Sequence, residues 1–462
     1  MTISQTDTIA AIATPPGVGG LGVIRLSGPE AVQIADKVFR TPAGGKLCDA
    51  ASHTIHYGHI IDPETGAAVD EVMAAVMRAP RSFTAEDVVE LSAHGSPVVL
   101  HKILLLLLNA GARMAQAGEF TKRAFLNGRL DLARAEAVLD VIHADSDASL
   151  QTAMNQLEGG LSREIEAIRQ PLLYAAAQFA AAVDYPDEDI ADLSEESLRT
   201  TLTEAEKACQ ALLGGVGSGR IAKEGLRCTL AGRPNVGKSS LLNALTRSER
   251  AIVTDIAGTT RDVIEESVTI GGVALRLFDT AGLRDTGDEV ERIGVDRTKQ
   301  YIESADLVLV LLDGSAPLTG EDKEILDLTA EKKRILVLNK SDLTQQCDKD
   351  ALSSLSGGAP IVAVSAKTGG GIDSLRQTIS DLCALGEVKT ANTLVSNLRH
   401  IDALRDAQAS LQSALAALDA GMPIDLCAID VSAALESLGL ITGVSVSADI
   451  VDTIFAQFCV GK

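Results

Sequence analysis

The 462-residue chain has no tryptophan, and its phenylalanines and tyrosines bring the aromatic share to only 3%. So few rings argue against a platform of stacked bases of the kind single-strand-binding proteins use. Positive charge is scarce as well. Forty-one lysines and arginines face 63 aspartates and glutamates, a net charge of −22. Nonspecific attraction to polyphosphate is therefore not its global behaviour, and a nucleic acid must meet a local basic surface. Long apolar runs are missing too. The longest aliphatic run, Ile103 to Leu108, is far too short to cross a bilayer, and the N-terminus lacks the basic start and apolar stretch of a signal peptide. A cytoplasmic location is expected. The cysteines, Cys48, Cys209, Cys228, Cys347, Cys383, Cys427 and Cys459, form no CxxC pair and have no histidine at zinc spacing. That pattern argues against disulfides and against a structural metal site.

What is present is a globular composition, 46% hydrophobic and 23% charged, long enough for two to four domains. Residues 1 to about 120 mix short apolar runs such as LGVIRLSG and VDEVMAAVMRA with glycine and proline, which predicts an α+β domain. From 121 to 222 the texture becomes helical: Leu132, Ala135, Leu139 and Ile142 share one helix face. It returns over 384–462, where Leu394, Leu398, Ile401, Leu404 and Leu411 do the same. Between them, residues 223–383 alternate β-rich runs (LRCTLAG, VALRLFDTAG, ADLVLVLLDG, RILVLNK, IVAVSA) with helical stretches, the pattern of a parallel sheet wrapped by helices. The simplest architecture is an α/β domain inserted into a helical one, with GGVGSGR at 214–220 as the linker into it. A tandem row of independent domains is the alternative.

GRPNVGKS at 232–239 follows a strand and opens a helix, as a phosphate-binding loop does. Its glycines let backbone N–H groups wrap a phosphate, Lys238 brings charge to the β and γ phosphates, and Ser239 offers an oxygen to Mg²⁺. DTAG at 279–282 ends the next strong strand, with Asp279 placed for the magnesium's water shell and Gly282 for the γ-phosphate. NKSD at 339–342 gives Asp342 for the N1 and 2-amino donors of guanine, which adenine cannot offer, and SAK at 365–367 completes a base pocket. Four motifs in this order point to GTP and resemble the Ras-like, translation-factor class of P-loop GTPases. Where the Ras type orients its attacking water with a glutamine, DTAG is followed here by Leu283. The missing help is expected from a potassium ion held by the Asn235 side chain and by backbone carbonyls of Thr254 and Ile256 in TDIAGTTRD, with Thr260 completing the Mg²⁺ shell.

Taken whole, the sequence resembles the MnmE (TrmE) family of tRNA modification GTPases. The likeness rests on DTIAAIATPPGVGGLGVIRLSG, SFTAEDVVELSAHG, GEFTKRAFLNGRLDLARAEAV, NVGKSSLLNAL, IVTDIAGTTRD, DTAGLRD and the closing FCVGK. The fold it implies is multidomain: an N-terminal α+β folate-binding-like domain (1–120) that dimerises, a discontinuous helical domain (121–222 and 384–462) and an inserted Ras-like GTPase domain (223–383). The resemblance implies nucleotide contacts at Asn235, Val236, Gly237, Lys238, Ser239 and Ser240, through Thr254, Asp255, Ile256, Ala257, Gly258, Thr259 and Thr260, and at Asp279, Thr280, Ala281 and Gly282. Asn339, Lys340, Asp342, Ser365, Ala366 and Lys367 complete them. It adds Thr259 to the K⁺ ligands and makes Glu291, in DEVERIG, the residue that positions the water.

The same resemblance implies K⁺-dependent pairing of GTPase domains in a homodimer, and a complex with the FAD-dependent partner MnmG. Together they would add an aminomethyl or carboxymethylaminomethyl group to carbon 5 of the wobble uridine of certain tRNAs. A tetrahydrofolate derivative, 5-formyl or 5,10-methylene, is the implied one-carbon source. By motif its contacts fall on Arg25, Glu90 and Arg129, with Lys462 reaching it from the tail. Two other readings share the nucleotide motifs: a ribosome-assembly or regulatory GTPase, and a GTP-switched scaffold whose chemistry lies wholly in the partner. The N-terminal folate-type region and the FCVGK tail argue against the first of these, while the second stays open. Cys459 stands three residues before the terminal Lys462, but Gly461 and Lys462 do not fit a prenylation signal, which leaves a frayed end or a functional thiol. The resemblance favours the thiol.

Overall fold

The computed structural model describes residues 7–184, 195–246, 265–279, 300–383, 385, 395–422 and 424–461. Its backbone contacts divide the chain into two units, Met1–Leu139 with Leu435–Lys462, and Asp140–Ala434. Among the described residues no helix is long and apolar enough to cross a membrane.

In the first unit the elements follow as β1 (Ile9–Ile12), β2 (Leu21–Ser27), α1 (Ala31–Val38), β3 (Phe39–Arg40), β4 (Thr54–Ile61), β5 (Ala68–Met77), β6 (Val88–His94), α2 (Pro97–Asn109), β7 (Arg113–Met114) and α3 (Glu119–Leu126). The seven strands form one sheet in the order β3-β4-β5-β6-β2-β1-β7, antiparallel except for the β1–β7 pair. Side chains alternate across it. Val89, Leu91 and Ala93 of β6, with Ile24 and Leu26 of β2, are buried in one core together with residues of α1 and α2. Glu90, Ser92 and His94, and opposite them Arg25, Val23 and Leu21, therefore lie on the other face. The aliphatic run at 103–108 belongs to α2, where Ile103, Leu104 and Leu107 are core residues.

The end of the chain returns to this unit. The helix Ala448–Phe455 lies against α3, with an ion pair between Lys122 and Asp452 and with Phe455 6.2 Å from Phe125, ring to ring. Beyond it Val460 forms an antiparallel bridge with Ala117, and the Gly118 N–H donates to the Cys459 carbonyl at 3.3 Å. These contacts speak against the frayed-end alternative: hydrogen bonds hold the tail as far as Gly461, whose carbonyl accepts from Arg25 at 3.2 Å.

α4 (Leu132–His143) runs across the division between the units. Its buried stripe is Leu132, Ala133, Ala135, Ala137 and Val138. The expected face therefore holds only in its first half, since Leu139 is half-buried and Ile142 exposed. The second unit continues with α5 (Asp147–Leu157), α6 (Gly160–Asp184), α7 (Glu195–Gly214), α8 (Val216–Glu224), β8 (Leu226–Ala231), α9 (Lys238–Thr246), β9 (Glu265–Ile270), β10 (Val273–Asp279) and β11 (Leu307–Asp313). Then come α10 (Gly320–Leu328), β12 (Arg334–Asn339), α11 (Lys349–Leu355), β13 (Ile361–Ala363), α12 (Ile372–Leu382), α13 (Leu398–Asp419) and α14 (Ile424–Thr442), of which α14 belongs to the first unit from Leu435 on. All five β-rich runs of the sequence are strands of one sheet, ordered β13-β12-β11-β8-β10-β9. It is parallel except for β9, which pairs antiparallel with β10. Buried clusters on both faces explain why LVLVLLD and RILVLN show no polar alternation.

Two further expectations are corrected here. GGVGSGR is not a loop: α7 ends at Gly214 and α8 takes up residues 216–224. Of its glycines Gly219 serves proximity, because a Cβ there would stand 2.4 Å from the Val395 carbonyl oxygen, whereas Gly214 and Gly217 have open space beside them. In α13, Ile401, Leu404 and Leu411 are buried as expected, but Leu398 is exposed because the helix begins there, capped by the Asn397 side chain. Leu394 lies outside the described residues. The buried face of α13 lies against α7, where Glu206 accepts from Gln408 and Gln412 at 2.8 and 2.9 Å.

Candidate functional site

The phosphate loop leaves the buried end of β8 and enters α9, as its motif demands. Asn235 (φ 62°) and Gly237 (φ 102°) turn left-handed, the backbone habit from which anion cradles are made. Lys238 is buried, and its ammonium donates to the carbonyls of Gly232 at 2.5 Å and Arg233 at 3.1 Å. Ser239 and Ser240 are exposed on the first turn of α9. The helix start thus offers N–H groups, a cation and a hydroxyl to a triphosphate and its Mg²⁺.

Asn339 ties this loop to the base pocket. Nearly fully buried at the end of β12, it donates Nδ2 to the Val236 carbonyl at 2.7 Å and accepts the Ala366 N–H on Oδ1 at 3.1 Å. Gly237 must be glycine for the same reason, since a Cβ there would lie 2.3 Å from Asn339 Nδ2. Lys340 (φ 63°) reaches back to Asp313 at the end of β11, at 2.6 Å. Burial pushes the Asp313 carboxyl up, but hydrogen bonds from Lys340 and Ser315 outweigh it and hold the group below the usual range. Asp342 accepts from the Ser365 hydroxyl at 2.7 Å, and that bond holds its carboxyl low. An ionised Asp342 is an acceptor only, the character that paired guanine donors require.

Asn235, Val236, Gly237, Lys238, Ser239, Ser240, Asn339, Lys340, Asp342, Ser365, Ala366 and Lys367 therefore gather beyond the carboxyl ends of β8, β12 and β13, where parallel sheets hold ligands. Asp279 ends the adjacent strand β10. The positions Thr254 to Thr260, Thr280, Ala281, Gly282, Leu283, Glu291 and Lys462 lie outside the described residues. The motifs did not reveal Asp322, the buried partner of Arg233 at 3.3 Å. Its signal was a T-x-x-D capping box at the start of α10, formed with Thr319.

A second constellation stands in the first unit. Arg25 and Glu90 face each other across β2 and β6, with Nε and Nη2 at 2.8 and 2.7 Å from Oε1. The guanidinium lies 5.6 Å from the Phe83 ring and 5.7 Å from that of Phe120. Arg129 stacks on Phe83 at 5.2 Å, donates to its carbonyl at 2.9 Å and lines a cavity of about 520 Å³. Burial, reinforced by Arg134, makes its proton easier to lose. The three expected residues thus converge, joined by Phe83, which sequence reasoning missed although it stood within SFTAEDVVELSAHG. A carboxylate, two guanidiniums and aromatic faces fit a planar heterocycle with paired N–H donors and an anionic tail, the chemistry of a folate. Cys459, two residues before the Gly461 whose carbonyl meets Arg25, is exposed.

Comparison with known proteins gives matches over both units. Residues 8–129 match the family profile "GTP-binding protein TrmE N-terminus", and residues 132–459 match "MnmE helical domain". A Geobacillus kaustophilus protein named tRNA modification GTPase MnmE is 49% identical over 462 residues, covering all of both chains. A Lacticaseibacillus paracasei protein of the same name is 50% identical, covering 100% of this chain and 99% of that one. Among solved structures, the G domain of the T. maritima FeoB iron transporter is 28% identical over 34% of this chain and 98% of that one, with a TM-score of 0.26 that is too low to bear on the fold.

Proposed function

Because the chain belongs to the MnmE family of tRNA modification GTPases, hydrolysing GTP in connection with tRNA modification, we propose that it is K⁺-dependent and acts with the FAD-dependent partner MnmG on carbon 5 of the wobble uridine. The observation that carries this reading is the convergence of Arg25, Glu90, Arg129 and the Gly461 carbonyl about Phe83, apart in the chain from the GTP motifs. A GTPase that only switches a partner has no need of such a site.

In this reading the loop from Asn235 to Ser240 cradles the phosphates, Ser239 and Thr260 hold Mg²⁺, and Asn235, Thr254, Ile256 and Thr259 hold K⁺. The potassium ion supplies the charge that an arginine finger supplies elsewhere. Glu291 orients the water, since Leu283 cannot. Asn339 keeps the phosphate loop and the guanine pocket in register, and Asp342 selects guanine. In the other unit Glu90 accepts from the pterin's paired donors, while Arg25, Arg129 and Lys462 meet its carbonyls and anionic end. Bound there, a tetrahydrofolate derivative supplies the one-carbon unit. Cys459 is the candidate thiol for the RNA chemistry. Dimerisation is supported by Ile55, Tyr57 and Met73, exposed on the neighbouring strands β4 and β5.

Mass spectrometry of wobble nucleosides from a strain lacking this chain tests the function. The 5-substituent should disappear from the affected tRNAs and return on complementation. A normal nucleoside profile would overturn the proposal.

A further inference from the structure

The cavity that Arg129 lines beside Phe83 is basic throughout. Its lining contains His53, Arg81 and Arg129 and no carboxylate, in a chain whose net charge is −22. The carboxylates nearest to Arg81 in sequence are spent elsewhere: Asp87 meets Arg78 at 3.0 Å, and Glu86 accepts the Ser27 hydroxyl at 2.6 Å and meets Arg123 at 3.3 Å. His53 keeps only a bond from Nδ1 to the Ser52 hydroxyl, at 2.7 Å. Arg81 is exposed, and among the described residues its side chain has no hydrogen-bond or ion-pair partner. Two cationic groups and an imidazole thus face a space that no anion of the chain fills.

The backbone around it is unusual as well. Among the described residues the left-handed backbones that are not glycine fall at His53 (φ 63°), Ala85 (φ 59°), Asn235 and Lys340. The last two belong to the nucleotide site. The first two both line this cavity, as does Gly128 (φ 70°). Strain of that kind persists only where the surroundings impose it, and it collects at ligand clamps. Here the His53 N–H donates to the Val76 carbonyl at 2.7 Å, and Asn127 Nδ2 donates to the carbonyl of Thr84, next to Ala85, at 2.7 Å. The wall is therefore set before a ligand arrives, and its volume falls within the range of about 300–1,000 Å³ usual for small-molecule sites.

The guanidinium carbons of Arg25 and Arg129 lie 5.6 and 5.2 Å from the Phe83 ring centre, so they stand at most about 11 Å apart. A folate is longer than that, with its ring system and its glutamate at opposite ends of a benzoyl spacer. We propose that the cavity seats a poly-γ-glutamyl tail, Arg129 meeting the carboxylate of the first glutamate and Arg81 with His53 those added beyond it. This rests on the reduced-folate reading of Arg25 and Glu90. Each further γ-linked glutamate brings one more carboxylate, and the exposed guanidinium and the imidazole remain to receive them. Ligand choice then extends from the pterin to the length of its tail. A bound anion also relieves Arg129, whose proton burial and the charge of Arg134 make easier to lose.

The test uses the full chain and three ligands: 5-formyltetrahydropteroate, which has no glutamate, and 5-formyltetrahydrofolate with one glutamate and with three. Isothermal titration at low salt should rank them in that order of rising affinity, the triglutamate about fivefold tighter than the monoglutamate. The gap should narrow as salt is raised. Arg81→Gln should keep the wild-type melting midpoint and the wild-type affinity for the pteroate, yet lose most of the gap between one glutamate and three. Equal affinity of the wild-type chain for those two ligands would overturn the inference while leaving the folate reading intact, and so would an Arg81→Gln chain that keeps the whole gap. Failure of all three ligands to bind the wild-type chain would overturn both.

Discussion

Asn339 shows how much of the nucleotide site depends on one side chain. It holds the carbonyl of one motif and the N–H of another, 103 and 27 residues away in sequence. Replacing it with alanine leaves both groups unpaired in a buried place, at a cost of about 1–3 kcal/mol. Asn339→Ala should therefore weaken GDP binding about tenfold or more in a fluorescence titration, with the sheet still folded. Unchanged affinity would mean that the two loops hold themselves. The residue types at this site were legible because each motif carries its own chemistry at a fixed spacing. The pairing of Arg25 with Glu90 was not, since a motif names residues without showing that two of them face each other across adjacent strands.

At the scale of elements, α3 is anchored by charge as well as by packing. Glu119 on its first turn and Arg123 one turn later are 1% and 3% exposed. Arg113 meets Glu119 at 2.5 Å and Asp7 at 2.7 Å, and Arg123 meets Asp7 at 2.6 Å. Burial raises the Glu119 carboxyl, but the bonds from Arg113 and the Gln116 N–H outweigh it, so the folded-state pKa lies below the ordinary 4.5. A depressed carboxylate contributes stability that is complete above the unfolded value and disappears as pH falls through the folded one. Calorimetry should show the midpoint of the first unit falling below pH ~4.5. Glu119→Gln should cost about 3 kcal/mol at pH 7 and flatten that acid limb. A limb unchanged in Glu119→Gln would assign the acid sensitivity to other carboxylates. Periodicity foretold helices here, but not this network, because Asp7 joins residues 113–123 from more than 100 positions away. The period of α4 and α13 was likewise legible, while Ile142 and Leu398 were misplaced because the pattern says nothing of where packing stops.

For the whole molecule, the net charge of −22 leaves little general attraction for RNA, so tRNA must be held by a partner or by a small basic surface. The same scale governs hydrolysis if two copies pair through their nucleotides. In the potassium reading proposed above, K⁺ makes up for Leu283, and exchanging K⁺ for Na⁺ at equal ionic strength should lower GTP turnover about tenfold or more, an arginine finger being worth about 10³–10⁵. Equal turnover in the two salts would defeat the potassium reading.

The sequence alone determined the nucleotide and the strands that present it, because phosphate loop, DTAG, NKSD and SAK are local signals whose chemistry travels with them. It also marked Arg25, Glu90, Arg129 and the final cysteine. Only the tertiary structure decided that Arg25 and Arg129 meet at Phe83 with Glu90 paired to Arg25, that the glycine-rich stretch at 214–220 ends one helix and continues in another, and that the tail bonds to Ala117 and Arg25. Those outcomes depend on strand register and chain return, which bring together residues as much as 436 positions apart. No local pattern encodes that meeting.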